Sequence, residues 1–159
     1  MKFHHRVEIN APLAPLSDKL TTAQVWMGLV MRVLDPVPFV LDLEACTLLE
    51  QGERSVRRRL RFSAVEIEDE VFFEPPWRIR YVTRAQPGLP SATLIMTIEE
   101  PDSDQLAVRF DYDTGEQSSA TGIEDFYDSF RKSAYLEADI DTIGRLRVLA
   151  REGRLTPPH

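Results

Sequence analysis

The sequence predicts an α+β fold: a seven-stranded curved antiparallel sheet wrapped around one long C-terminal helix, with a short helical insert after the first strand. Three observations predict it. Residues 122–152 contain no proline and one internal glycine, Gly144, so a helix there would run about 45 Å at roughly 1.5 Å per residue. Six segments between Phe39 and Asp113 read as strands separated by turn chemistry. One more strand and one short helix precede them. Residues 1–159 contain no repeat, low-complexity tract or linker, so a single domain is expected.

Each element has a local reason. Phe3 to Asn10 alternates Phe3, His5, Val7 and Ile9 against His4, Arg6 and Glu8, the period of a half-buried strand, and Pro12 and Pro15 end it. Thr21 or Thr22 caps a helix over Ala23–Leu34, where Val25, Trp26, Leu29, Val30 and Val33 recur at helical spacing until Asp35-Pro36 stops it. Strands are expected at Phe39–Glu50, Glu53–Ser63, Ala64–Glu74, Trp77–Arg84, Ala92–Glu100 and Gln105–Asp113. Gln51-Gly52, Ser63-Ala64, Pro75-Pro76, Pro87-Gly88-Leu89-Pro90 and Pro101-Asp102-Ser103-Asp104 supply the turns. In the long helix, steps of four read Phe126, Phe130, Ala134, Ala138, Thr142 and Leu146, with large rings at one end and small side chains in the middle. Such a face, laid on a sheet, leaves a hollow. Gly153 is placed to cap it, with Arg145, Arg147 and Arg151 at the negative end of the helix dipole.

Composition removes several classes of function. With 159 residues the chain buries roughly 70% of its unfolded surface without staples. Its 26 acidic and 19 basic side chains give a net charge of -7, which disfavours nucleic acid and anionic membrane surfaces. A lone cysteine, Cys46, permits no intrachain disulfide and fits a reducing cytoplasm better than secretion. No signal-like or membrane-spanning apolar run occurs, so a cytoplasmic protein is expected, without membrane insertion; a homodimer remains compatible with these properties. His4 and His5 alternate across one strand and cannot chelate one ion together. Neither a metal nor a cofactor is expected. Phosphate loop, dinucleotide fingerprint and nucleophile elbow are all missing, and Cys46 has no histidine partner in view.

The hairpin around Ser63-Ala64 can be read residue by residue. A two-residue turn there pairs positions whose numbers add to 127, so Arg57, Arg59 and Arg61 oppose Glu70, Glu68 and Glu66 on one face. Phe62, Leu60 and Val56 meet Val65, Ile67 and Val71 on the other. That register also sets Arg58 opposite Asp69 among the aliphatic side chains. Two readings stay open: a structural ion pair, or a guanidinium fork oriented by Asp69 toward a carboxylate, enolate or phenolate of a ligand.

Other candidates gather around the expected hollow. Trp77, Tyr81, Phe110, Tyr112, Phe126 and Phe130 could wall it, and Ala134 would leave room beneath the helix. Asp141 either looks inward as a desolvated acid or is an ordinary solvated carboxylate beside Asp139. No residue is assigned as catalytic.

The order of strand, helical insert, six-strand meander and long C-terminal helix resembles the helix-grip fold of the START and birch-pollen-allergen superfamily, SRPBCC, over essentially the whole chain. Within it, Leu20 to Leu29 (LTTAQVWMGL), Phe39 to Cys46, and Asp141-Thr142-Ile143 before Leu146-Arg147 and Gly153 resemble the AtaL-like subgroup. The resemblance implies a cavity for lipids, sterols, polyketides or other apolar molecules, and in some members aromatase/cyclase or dehydratase activity. The subgroup has no agreed catalytic motif, so no catalytic residue carries over. Three functions are thus carried forward: binding of an apolar or aromatic small molecule, a polyketide cyclase or dehydratase-like enzyme, and a protein-interaction module with a closed core.

Overall fold

A computed structural model describes residues 2–11, 13–15, 18–87, 90–114 and 122–155, with side chains of 122–128 excepted. The elements are β1 (Lys2–Asn10), α1 (Thr22–Leu34), β2 (Ala45–Gln51), β3 (Ser55–Phe62), β4 (Val65–Glu74), β5 (Arg78–Thr83), β6 (Ala92–Glu99), β7 (Leu106–Asp113) and α2 (Gly122–Arg151). All seven strands form one antiparallel sheet in the order β1-β7-β6-β5-β4-β3-β2. Six strands follow one another as a meander, and β1 closes against β7. The expected fold class is the observed one.

The register of β3 and β4 follows the alternation of their side chains. Every pair from Ser55↔Phe72 to Phe62↔Val65 has the predicted offset, with Ser63 at φ 55 in the turn. The outward charges of β3 follow that register only in part. Arg59 reaches Glu68 at 3.1 Å, but Arg61 turns to Glu44 at 3.5 Å and Arg57 to Glu50 at 3.8 Å across β2.

Thr21 caps α1 through a capping box: its hydroxyl accepts from Gln24 N–H, and the Gln24 side chain accepts from the Thr21 backbone. The helix buries Val25, Gly28, Leu29 and Val33. Gly28 allows a close approach, because a Cβ built there would run into the Leu146 side chain of α2. Asn10, itself buried at the end of β1, fixes the chain entering α1 by accepting from Leu20 N–H and donating to Leu20 C=O.

Two expectations need correction here. Residues 39–44 are not the start of a strand. Pro36 accepts from both Phe39 and Val40 N–H, Asp42 has φ 67, and Leu41 is 87% exposed, so the Phe39/Leu41/Leu43 alternation belongs to tight turns. The four-residue ladder along α2 also fails at Phe130, Ala134 and Ala138. With 3.6 residues per turn, each step of four drifts about 40° around the axis. The buried stripe instead alternates threes and fours: Asp139, Thr142, Leu146 and Leu149, with Ile143 beside it. Phe130 is 68% exposed, and Ala134, Ala138 and Asp141 also face outward.

α2 ends as its sequence predicts. Gly153 takes φ 70, its N–H donates to Ala150 C=O, and Arg154 N–H donates to Leu149 C=O, the paired bonds of a Schellman cap. Gly144, mid-helix, has no comparable reason: a Cβ there would touch nothing within 4 Å, although glycine costs about 1 kcal/mol against alanine in a helix. Val25, Leu29 and Val33 of α1 and Ile143, Leu146 and Leu149 of α2 fill one end of the sheet's inner face, over Ile9, Val56, Val71, Ile79 and Val108. The other end is left to the site described next. Among the described residues no helix is long and apolar enough to cross a membrane.

Candidate functional site

A cavity of about 330 Å³ lies at the end of the inner face where β3, β5 and β7 finish and β4 and β6 begin. Leu60, Phe62, Ile67 and Leu94 of the sheet and Pro36, Val40 and Leu43 of the α1–β2 connection give it an apolar lining. Its polar groups are Arg32, Arg58, Asp69, Tyr81, Tyr112 and Tyr135, with a few threonines.

Two buried networks border this space. In the first, Arg58 Nε donates to Asp69 Oδ1 at 2.9 Å, Nη2 to Asp69 Oδ2 at 2.6 Å, and Nη1 to the Val33 carbonyl at 2.8 Å. Both residues are buried, and the Tyr81 ring lies 5.3 Å from the guanidinium carbon. Burial opposes the Arg58 charge, but the hydrogen bonds and charge of Asp69 outweigh it and raise the Arg58 pKa above its ordinary value. All three nitrogens of the guanidinium are thus engaged inside the protein. The other cation bordering the cavity is Arg32 on α1, which donates from Nη1 to Tyr81 Oη at 2.9 Å while its Nε is buried without a hydrogen-bond partner.

The second network centres on Asp139 of α2. His5 Nε2 lies 2.6 Å from Asp139 Oδ2, and the Tyr112 hydroxyl donates to the same oxygen at 2.7 Å. Phe3 and Tyr135 stack on Tyr112, with ring centroids 4.9 and 4.6 Å away. Burial raises the Asp139 pKa, against the lowering effect of the Tyr112 and His5 hydrogen bonds and the Arg32 charge. Burial, then the charge and hydrogen bond of Asp139, holds Tyr112 protonated far above the usual phenol range. Cys46 is raised by partial burial, which keeps it a thiol and a poor nucleophile.

The structure brings four of the candidates together: Arg58, Asp69, Tyr81 and Tyr112 all border the cavity. It does not bring in the others. Trp77 is 45% exposed, because the Pro75-Pro76 turn takes it out of the alternation that buries Ile79 and Tyr81. Phe110 is fully buried in the core beneath His5 and does not reach the space. Phe130, Ala134 and Asp141 lie on the outer face of α2, as the helical drift dictates, and the Phe126 side chain lies outside the described residues. Sequence reasoning missed Asp139, His5, Arg32 and Tyr135. For Arg32 a signal existed: it stands seven residues after Val25, on the buried stripe of α1.

The fold and its hollow can now be set beside known proteins. An aromatase/cyclase from Streptomyces, Zhui, matches with TM-score 0.64 and 17% identity over 94% of this chain and 95% of its own. A STAR-related lipid transfer protein from Xanthomonas axonopodis matches with TM-score 0.58 and 17% identity, covering 94% of this chain and 85% of its own. Ara h 8.0201 matches with TM-score 0.55 and 13% identity, covering 92% and 97%. At these identities the likeness is one of fold, the SRPBCC helix grip. No curated protein matches the sequence. The family AtaL, described as acetylaranotin biosynthesis cluster protein L, matches residues 7–153, and with nearly its whole length inside that match the chain belongs to the AtaL family.

Proposed function

We propose that the protein binds an apolar or aromatic small molecule, lipid-like or polyketide-like, in the cavity between sheet and helices. The observation that carries this reading is the lining: aliphatic and aromatic walls around about 330 Å³, with Arg32, Tyr81 and Tyr112 as the few convergent polar groups. The aromatase/cyclases and lipid transfer protein that share the fold support it. Arg58 and Asp69 have the part of a rigid wall, since their hydrogen bonds are made to each other and to Val33. Tyr81 and Arg32 align the ligand's oxygen.

The test is retention and exclusion. Native mass spectrometry of protein purified from its own cells should show a bound small molecule, and 2-naphthol should bind the emptied protein. Ala92→Phe, which projects a ring into the cavity from the start of β6, should abolish both while leaving the fold intact. An unliganded mass in every preparation together with no naphthol binding overturns the reading and favours the closed interaction module.

Asp139 favours a second reading, a cyclase or dehydratase-like enzyme. A buried carboxyl of raised pKa, hydrogen-bonded to a tyrosine that borders the cavity, is suited to hold or pass a proton while Arg32 faces a developing enolate. It replaces Asp141 and Asp69 as the candidate acid. A polyketide-like substrate would then turn over, and Tyr112→Phe would lower the rate far more than the melting temperature. Parallel losses of rate and stability would make the tyrosine structural.

A further inference from the structure

We infer that a second site, on the outer side of α2, binds an apolar monocarboxylate whose carboxylate is received between Arg32 and Arg145. A groove of about 770 Å³ runs between the 36–43 connection and α2. Val37, Phe39, Val40 and Leu41 form one wall, and Ala134 and Ala138 keep the helix side low. From Ala134 to Val148 the helix lining extends about 21 Å, which suits an extended tail.

Two guanidinium groups from different helices border this groove, Arg32 of α1 and Arg145 of α2. The Nε–H of each is buried and has no hydrogen-bond partner. Closed off from solvent, those Nε–H groups do not themselves reach the groove, but among the described residues neither guanidinium is ion-paired to a carboxylate, which leaves their outer N–H groups to meet an acceptor from outside the chain. A carboxylate has the right charge and fork geometry for guanidinium donors. Gly144, next to Arg145 and also in the lining, is the helix glycine for which packing gives no reason; a side chain there would project into open space. Asp42, Glu137 and Asp141, exposed along the same groove, disfavour a second negative charge and restrict the ligand to a monoanion.

This groove is not the inner cavity, although Arg32, Val40 and Leu43 border both and form the partition between them. The proposal does not depend on the inner cavity holding a ligand.

Isothermal titration of the full chain with octanoate, octanol, octylamine and suberate tests it. Octanoate should bind at one site, and the alcohol, the amine and the diacid should each bind at least about tenfold more weakly, the change expected from losing one charge-assisted contact. Gly144→Leu, which fills open space in the helix, and Arg145→Gln should each weaken octanoate by about tenfold or more. Their melting temperatures should stay at or above that of the parent protein for the first and close to it for the second. Ala92→Phe should leave octanoate binding in place. Equal affinity for octanol and octanoate, or no octanoate binding at all, overturns the proposal. Loss of octanoate through Ala92→Phe but not through Gly144→Leu overturns it as well, and assigns the acid to the inner cavity.

Discussion

Two buried aspartates stand near the same cavity and are held in opposite ways. Asp69 on β4 meets a permanent cation, with both carboxylate oxygens engaged by Arg58 across a β-ladder pair. Asp139 on α2 meets a phenol and an imidazole, both at a single oxygen. The first arrangement neutralises a charge by pairing; the second leaves the carboxyl able to neutralise itself by taking up a proton. Pairing makes a wall, whereas a group that gains and loses a proton within reach of a ligand can take part in chemistry.

The largest expected effect breaks the paired site. Arg58→Ala or Asp69→Ala should each lower the unfolding free energy by about 3–5 kcal/mol, because each leaves an uncompensated buried charge. Replacing both at once, Arg58→Met with Asp69→Leu, should recover most of that loss. Urea denaturation of the three variants checks it, and a double variant as unstable as the single ones would contradict the pairing argument.

A smaller effect sharpens the other side of the comparison. Asp139→Asn keeps an acceptor for Tyr112 and His5 and should change stability by about 1 kcal/mol near neutral pH. Its signature is the pH profile. The folded protein holds the Asp139 proton to a higher pH than the unfolded chain does, so that contribution to stability is complete below the unfolded value, about 4. It is lost as pH rises through the raised folded value. The parent protein should therefore lose stability relative to the asparagine variant as pH rises across this window. Tyr112→Phe removes a donor that lowers the Asp139 pKa, and should move the window upward. Identical profiles for parent and Asp139→Asn would remove the distinction between the two aspartates. Phe130→Ala, on the exposed side of α2, is the smallest: a change within about 0.5 kcal/mol in the same denaturation experiment.

The two aspartates also differ in how far the sequence revealed them. Asp69 was legible because a strand period of two allows no drift: a turn at Ser63-Ala64 and one face of aliphatics set every partner. Asp139 was not, since helical phase accumulates error and the starting point of the ladder was taken from phenylalanines that prove to be exposed or outside the described side chains. Reading back from Leu146 and Leu149, whose burial is unambiguous, lands on Thr142 and Asp139 rather than Asp141. The capping box at Thr21 and the glycine cap at Gly153 were readable because each is set by local backbone chemistry. The 36–43 turns were not, because Phe39, Leu41 and Leu43 alternate as a strand would, whereas Pro36 accepts from two successive N–H groups in tight turns that leave Leu41 exposed.

The pairing of β1 with β7 has a consequence for the order in which the molecule assembles. Val7 lies beside Val108, a hundred-odd positions later, while the other ladders join neighbours in the chain. During synthesis the first strand must wait, unpaired, until the last one has left the ribosome, and loop-closure entropy delays it further. Val7→Ala should accordingly hasten unfolding more than it slows refolding in stopped-flow traces. The opposite partition would make that distant embrace the seed of the fold rather than its final stitch.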